Sequence, residues 1–432
     1  MDTLAEKPLW PLWKKILFRF VFIYLALQIT PWTWFQLPGQ FFNQYYTQFI
    51  SWAVTLANTH IFHVRPVLIP FNGSGDTSFG WAQLFLHLTI ATVGCIIWSG
   101  IDIKRPNYVQ LNYWLCLFAR YHLIRFLFLY GIIKIFATQM VFPSLHMLAT
   151  PLGDLLPMRF AWYFIGYSTP YQVFSGCMEM LAALLLLNRR TATVGALLAA
   201  AVLTNVVMLN FCYDIPVKIF STQLVFISLV LLANESKRII CFFVFNKPAT
   251  TSSIYQFNYP QKWMRITRIV LKVVFITLVL IPQLLSTVAF YKNINTAPPK
   301  LPVKNGVYEP VSLIVNKQSV PLLLTDTLLW QNLILENGAG SIKTSEPIFK
   351  RRYNRAYFAY EIDSARHLFY FKENVDGQLV KSVTLNYALP DTGTIKLWGR
   401  KNTDSVEMVF KRTNRHFQLA ERQFHWLTEY NR

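Results

Sequence analysis

The chain has 432 residues, of which 53% are hydrophobic, 16% aromatic and only 14% charged, and its mean hydropathy is positive. A soluble domain carries about 25% charged residues, so an ordinary soluble globule is excluded. Lys and Arg outnumber Asp and Glu by 41 to 21, but the excess sits in loops between apolar runs, which suits a membrane protein better than a nucleic-acid binder.

In chain order, seven runs are expected to cross a bilayer: Ile16–Trp34, Trp81–Ser99, Tyr113–Ile135, Tyr171–Leu187, Thr191–Phe211, Ile219–Leu232 and Ile269–Val288. At ~1.5 Å per residue most reach across a ~30 Å hydrocarbon core, and the fourth and sixth are short. Aromatic Phe41–Ile61 reads as an amphipathic helix on the membrane surface. The Pro-containing stretch Ala137–Pro170 reads as a cap with short interfacial helices.

Basic residues cluster on one side of these runs: Lys7, Lys14, Lys15, Arg19, Lys104, Arg105, Arg189, Arg190 and six between Lys237 and Arg268, against Arg65, Arg159 and Lys218 on the other. The bias puts the N-terminus in the cytoplasm, and seven spans then put the C-terminus outside. The bulky segment Ile29–Trp34 offers no small-x-small cleavage site, so the first run reads as a retained anchor. Five cysteines (Cys95, Cys116, Cys177, Cys212, Cys241) lie in or beside the runs without any C-x-x-C, which excludes a disulfide scaffold or zinc ribbon.

After Val288 the pattern turns to period-2 alternation with hairpin signals at Asn337-Gly338, Asp376-Gly377 and Asp391-Thr392-Gly393. The fold class is therefore an α-helical polytopic membrane bundle of about seven spans followed by an all-β antiparallel barrel or sandwich, with a lipocalin-like barrel one form of it. The expected divisions are 1–110, N-terminal spans with the amphipathic segment; 111–245, a helical core; 246–292, a cytoplasmic loop and the last span; 293–304, a Pro-rich linker; and 305–432, the extracytoplasmic β domain. That domain reads as a spacer, a ligand cup or a docking surface for a partner protein. Its basic patch Lys350-Arg351-Arg352 with Arg355 reads as a solvated hairpin or a contact for headgroups or an acidic partner.

Ionisable residues at bilayer depth mark functional sites or paired structural contacts. The third run carries Arg120, His122, Arg125 and Lys134, the fourth Glu179, and the fifth Asn205 and Asn210 with Asp214 just beyond. Counting residues from each face sets Arg125 and Glu179 at one midplane depth, with Arg120 and Asn205 nearby, and Lys134 and Asp214 together at the outer edge. These are either buried pairs that fix helix register or a polar cavity for a quinone headgroup, a small anion or a proton path. His87 and His122 suit satisfied core histidines better than a haem. No G-x-S-x-G, P-loop, H-E-x-x-H or dinucleotide fingerprint is present, so the residues alone leave enzymatic activity open and indicate no metal or cofactor.

The segments Phe164–Pro170, Gly176-Cys177-Met178-Glu179-Met180, Leu185–Asn188 followed by Arg189-Arg190-Thr191, and Asn205 through Asp214 resemble the DoxX family over about residues 110–245. With the aromatic end Phe424-His425-Trp426, the chain resembles the larger DoxX-like proteins of Bacteroidetes-type bacteria. The resemblance implies a four-helix core in a bacterial inner membrane, Glu179 as the intramembrane acid and Arg189-Arg190 as the cytoplasmic turn. It also implies an accessory or quinone-linked redox subunit with a periplasmic β domain. The alternative is a transporter or lipid-handling protein whose β domain binds a ligand or partner. In either case the bilayer is a partner and nucleic acid is not.

Overall fold

A computed structural model describes residues 9–35, 39–248, 257, 259–296, 301–323, 329–344, 351–375, 378–401, 404–422 and 425–427. Lys350, Phe424, the Asp376-Gly377 turn and linker residues 297–300 lie outside the described residues. The chain divides into two compact units, one of residues 1–140 and 168–293 and one of residues 141–167 and 294–432.

The first unit is helical: α1 Leu12–Gln28, α2 Gly39–Ala57, α3 Ser78–Ile101 and α4 Val109–Ile135 come first. After the excursion into the second unit follow α7 Thr169–Leu187, α8 Ala192–Cys212, α9 Lys218–Ala233, α10 Ser236–Phe243, α11 Lys262–Phe275 and α12 Ile281–Ile294. Among the described residues six helical stretches are long and apolar enough to cross a membrane, and the apolar α9 is shorter at 16 residues. Apolar side chains surround α3 and α8 on all sides, as lipid-facing helices require. The last stretch, Lys262–Ile294, is one 33-residue helix in which Ile276–Leu280 forms a π-type turn between α11 and α12. The expected surface helix is α2, extended by a second π-type turn at Asn58–Phe62; Phe41, Tyr45, Phe49 and Trp52 are exposed on it while Ile50 and Val54 pack on Ala82.

Among the described residues of the second unit, α5 Leu145–Leu148 and α6 Pro157–Tyr167 precede ten strands and the single-turn α13 Gln418–Glu421. The strands are β1 Gly306–Val315, β2 Gln318–Val320, β3 Trp330–Glu336, β4 Ala339–Thr344, β5 Arg351–Arg352, β6 Arg355–Asp363, β7 Leu368–Val375, β8 Gln378–Asp391, β9 Thr394–Lys401 and β10 Asp404–Arg412. Eight of them close an antiparallel barrel in the order β1-β3-β4-β6-β7-β8-β9-β10, because β1 also pairs with β10, from Tyr308 against Arg412 to Val315 against Val406. Short β2 and β5 hang on β1 and β6. Closure removes the exposed edges that an open sheet would present. The tight turn at Asn337-Gly338 has φ of +52° and +84°, the backbone that two-residue hairpins need.

Alternation sorts the barrel's residues. Trp330, Leu333, Leu335, Phe358, Tyr360, Phe369, Phe371, Leu397 and Phe410 are buried in one cluster, with Phe371 ringed by Trp330, Phe358 and Phe369 at centroid distances of 4.7 to 5.4 Å. Aromatic side chains dominate this interior cluster. The opposite face of β1 and β3 is covered by the segment after α4: Leu145 and Ala149 pack on Val307 and Ile334, and Glu336 accepts the Leu145 N–H at 2.9 Å. Residues 141–167, grouped on sequence with the helical core, thus belong with the barrel.

Candidate functional site

The polar residues of the helical unit fall into separate groups, and the depth count paired them wrongly. Glu179 is buried on α7 and its partner is Lys134 of α4, whose Nζ donates to Oε1; Oε2 has no hydrogen-bond partner. Asp214 pairs instead with Lys218 at 2.7 Å. Among the described residues Arg125 forms no ion pair with either acid.

Two glycines explain the difference. A Cβ added to Gly176 of α7 would lie 2.6 Å from the Gly131 carbonyl oxygen and 2.8 Å from Lys134 Cβ. Only glycine at both positions lets the α4 and α7 backbones touch, the small-residue contact that membrane helices use. Gln172, one turn from Gly176, is fully buried and clasps the Met140 backbone, donating to its oxygen at 2.7 Å and accepting from its nitrogen at 3.0 Å. These contacts set an antiparallel register. Arg125, nine residues before Lys134, lies roughly 13 Å back along α4 from the residue that Glu179 contacts. Arg120 lies further still, within electrostatic reach of Arg189 in the α7–α8 turn.

The remaining expected residues separate as well. Asn205 is exposed on α8. Asn210 is buried and donates to Ser221 Oγ at 2.9 Å, tying α8 to α9. Asp76, unremarked on sequence, accepts the N–H groups of Lys218 and Ile219 at 2.8 and 3.1 Å, so a carboxylate closes the start of α9 where its orphan donors and dipole favour a negative charge.

Sequence reasoning also missed the role of Arg19. Counted as a loop charge, it is wholly buried in α1 and donates to Tyr108 Oη at 2.9 Å, Ser99 Oγ at 2.8 Å and the Asp102 carbonyl at 2.7 Å. Its place inside an apolar run was the available signal.

One group with unfilled hydrogen-bonding capacity is built around His122. The His122 ring lies 6.3 Å from that of Trp34, which follows α1 in a short 3-10 turn, and 4.9 Å from Phe126. Arg125 sits one turn along α4 with its guanidinium over Phe126 at 4.9 Å. Phe275, immediately before the π-type turn, packs edge-on against both Trp34 and Tyr121. Trp34 Nε1, His122 Nδ1 and Arg125 Nε are all buried without a hydrogen-bond partner. Buried polar nitrogens are normally satisfied, and π-type turns are frequent at functional sites. The three nitrogens lie on or beside aromatic rings and have the chemistry to meet acceptor oxygens. Among the described residues no three His, Cys, Asp or Glu side chains are placed to hold a metal.

Comparison with known proteins gives one relative of note. A Bacillus subtilis (strain 168) protein, the uncharacterized protein YwoB, is 36% identical over 118 residues, which cover 27% of this chain and 73% of the relative. No family model matches the chain. No solved structure matches it either.

Proposed function

The chain belongs to the family of the Bacillus subtilis protein YwoB; we propose, from its own residues, that it is a DoxX-like protein of a bacterial inner membrane, serving as an accessory quinone-linked redox subunit. The observation that carries this reading is the set of unpartnered nitrogens on Trp34, His122 and Arg125.

A quinone headgroup fits that set. It offers two carbonyl acceptors on a planar ring, which matches N–H donors between aromatic walls. When bound, a quinone supplies two-electron, two-proton redox chemistry. The Arg125 Nε–H and Trp34 Nε1–H orient the ligand by donating hydrogen bonds. His122 holds or releases a proton at Nδ1, with the tautomer set by what it faces. Phe126, Tyr121 and Phe275 exclude water. Lys134 and Glu179 form an ion pair and act in this reading as the register-setting contact of α4 and α7.

The test is the quinone content of the purified protein, read by solvent extraction and ultraviolet spectroscopy, beside quenching of tryptophan fluorescence by a short-chain quinone. The reading expects near-stoichiometric quinone in the wild type and its loss in Arg125→Met. A protein that carries none and shows no saturable quenching would overturn it.

A further inference from the structure

The interior-facing side chains of β6, Ala356, Phe358 and Tyr360, alternate with Arg355 and Tyr357 on the other face, which residues 141–167 cover. Arg355 is 1% exposed, yet among the described residues its guanidinium meets only neutral acceptors: Ser341 Oγ at 3.0 Å, the Ser341 carbonyl at 3.3 Å and Asn332 Oδ1 at 2.8 Å. Burial pulls its pKa down to about 10. A buried cation without an anion is costly.

The surroundings add positive charge. Arg159 of α6 donates from Nε to Tyr353 Oη at 2.8 Å, and the exposed Arg352 lies over the Tyr353 ring at 5.1 Å. Tyr163, one turn beyond Arg159, is within electrostatic reach of both arginines, and burial first, then Tyr357, push its hydroxyl up to about 12. Among the described residues none of the three arginines forms an ion pair. Two acids of the same unit accept from neutral donors, Asp154 from Asn354 at 2.9 Å and Glu336 from the Leu145 N–H, so among the described residues no carboxylate is committed to these arginines.

Beside these arginines an apolar stripe runs from the residue before α6 along the helix. Leu156, Phe160 and Phe164, four residues apart, are 59%, 43% and 67% exposed. In the chain, α6 ends at Tyr167 and the apolar α7 begins at Thr169. A phosphate-binding edge next to an apolar edge, one residue from a membrane span, matches a lipid's own division into headgroup and acyl chain.

We propose that Arg159, Arg352, Tyr163 and Tyr353 form a receptor for the phosphate of an anionic phospholipid, with the acyl chain along Leu156, Phe160 and Phe164. Arg159 and Arg352 grip the phosphate oxygens through charge-assisted hydrogen bonds, and buried Arg355 supplies the uncompensated field behind them. This reading stands apart from the quinone site, which lies in the other unit.

The full chain, delipidated in detergent and titrated with phosphatidylglycerol or phosphatidylcholine under native mass spectrometry, tests it. Phosphatidylglycerol should bind with at least roughly tenfold preference, and Arg159→Gln with Arg352→Gln should remove that preference while the melting temperature holds. The Arg159→Lys, Arg352→Lys pair keeps the charge and should retain part of it, which separates lost binding from lost folding. Equal binding of the two lipids, or an unchanged preference in the glutamine variant, would overturn the proposal. Full competition by 10-fold excess inorganic phosphate would assign the site to free phosphate and overturn the lipid claim.

Discussion

Lys134 of α4 and Glu179 of α7 form a buried ion pair beside the Gly131–Gly176 backbone contact. Breaking a buried pair from one side leaves a lone charge and costs about 3–5 kcal/mol, whereas replacing both partners by apolar groups is often neutral. Lys134→Met or Glu179→Gln should therefore lower the midpoint of denaturation sharply in detergent, and Lys134→Met with Glu179→Leu should restore it. A double variant as weak as the singles would show that the pair does more than fix register.

The glycine contact makes a separate expectation. Gly176→Ala places a methyl 2.6 Å from the Gly131 oxygen, so the helices must part, at a cost of about 1–3 kcal/mol. Gly100→Ala meets nothing within 4 Å and should be neutral or slightly stabilising. Thermal melts of the two variants side by side check the contrast.

Much of this architecture is legible in the sequence, and what is not has definite causes. Long apolar runs announce the spans, and Asn337-Gly338 announces a hairpin, because hydrophobic period and turn chemistry are local properties. The Lys134–Glu179 pairing is not local: it depends on where two helices touch, which Gly131 and Gly176 decide. Counting from assumed membrane faces ignored that contact and sent Glu179 to Arg125. Arg355 reads as part of a surface patch because nothing local says that a segment two hundred residues earlier covers it. Trp34 escapes notice for a similar reason, since its value comes from the distant His122 and Phe275.

Covering that face of the barrel has a measurable consequence. A fragment of residues 294–432 alone would expose Ile334, Val307 and Arg355, which are 0%, 4% and 1% exposed in the intact chain. Uncovering two aliphatic side chains costs about 3 kcal/mol. The fragment should melt well below the same fragment with residues 141–167 tethered to it, and equal melting temperatures would show that the segment adds nothing.

Acid should loosen the same contact. Burial, and then the Arg355 cation, lower the His146 pKa from 6.5 to about 4. The unfolded chain takes up a proton below 6.5 while the folded imidazole stays neutral until about 4, so the stabilising contribution is complete above 6.5 and is lost as pH falls towards 4. Melting temperature between pH 7 and 5 should fall for the wild type and less steeply for His146→Gln; parallel slopes would contradict the assignment.

The central claim is that a quinone headgroup sits among Trp34, His122 and Arg125, and photoaffinity labelling with an azidoquinone tests it most directly. The account predicts that label in the wild type maps to peptides containing residues 31–35 and 120–126, is displaced by unlabelled quinone and falls in Arg125→Met. Label confined to other helices, or equal in the variant, would contradict it.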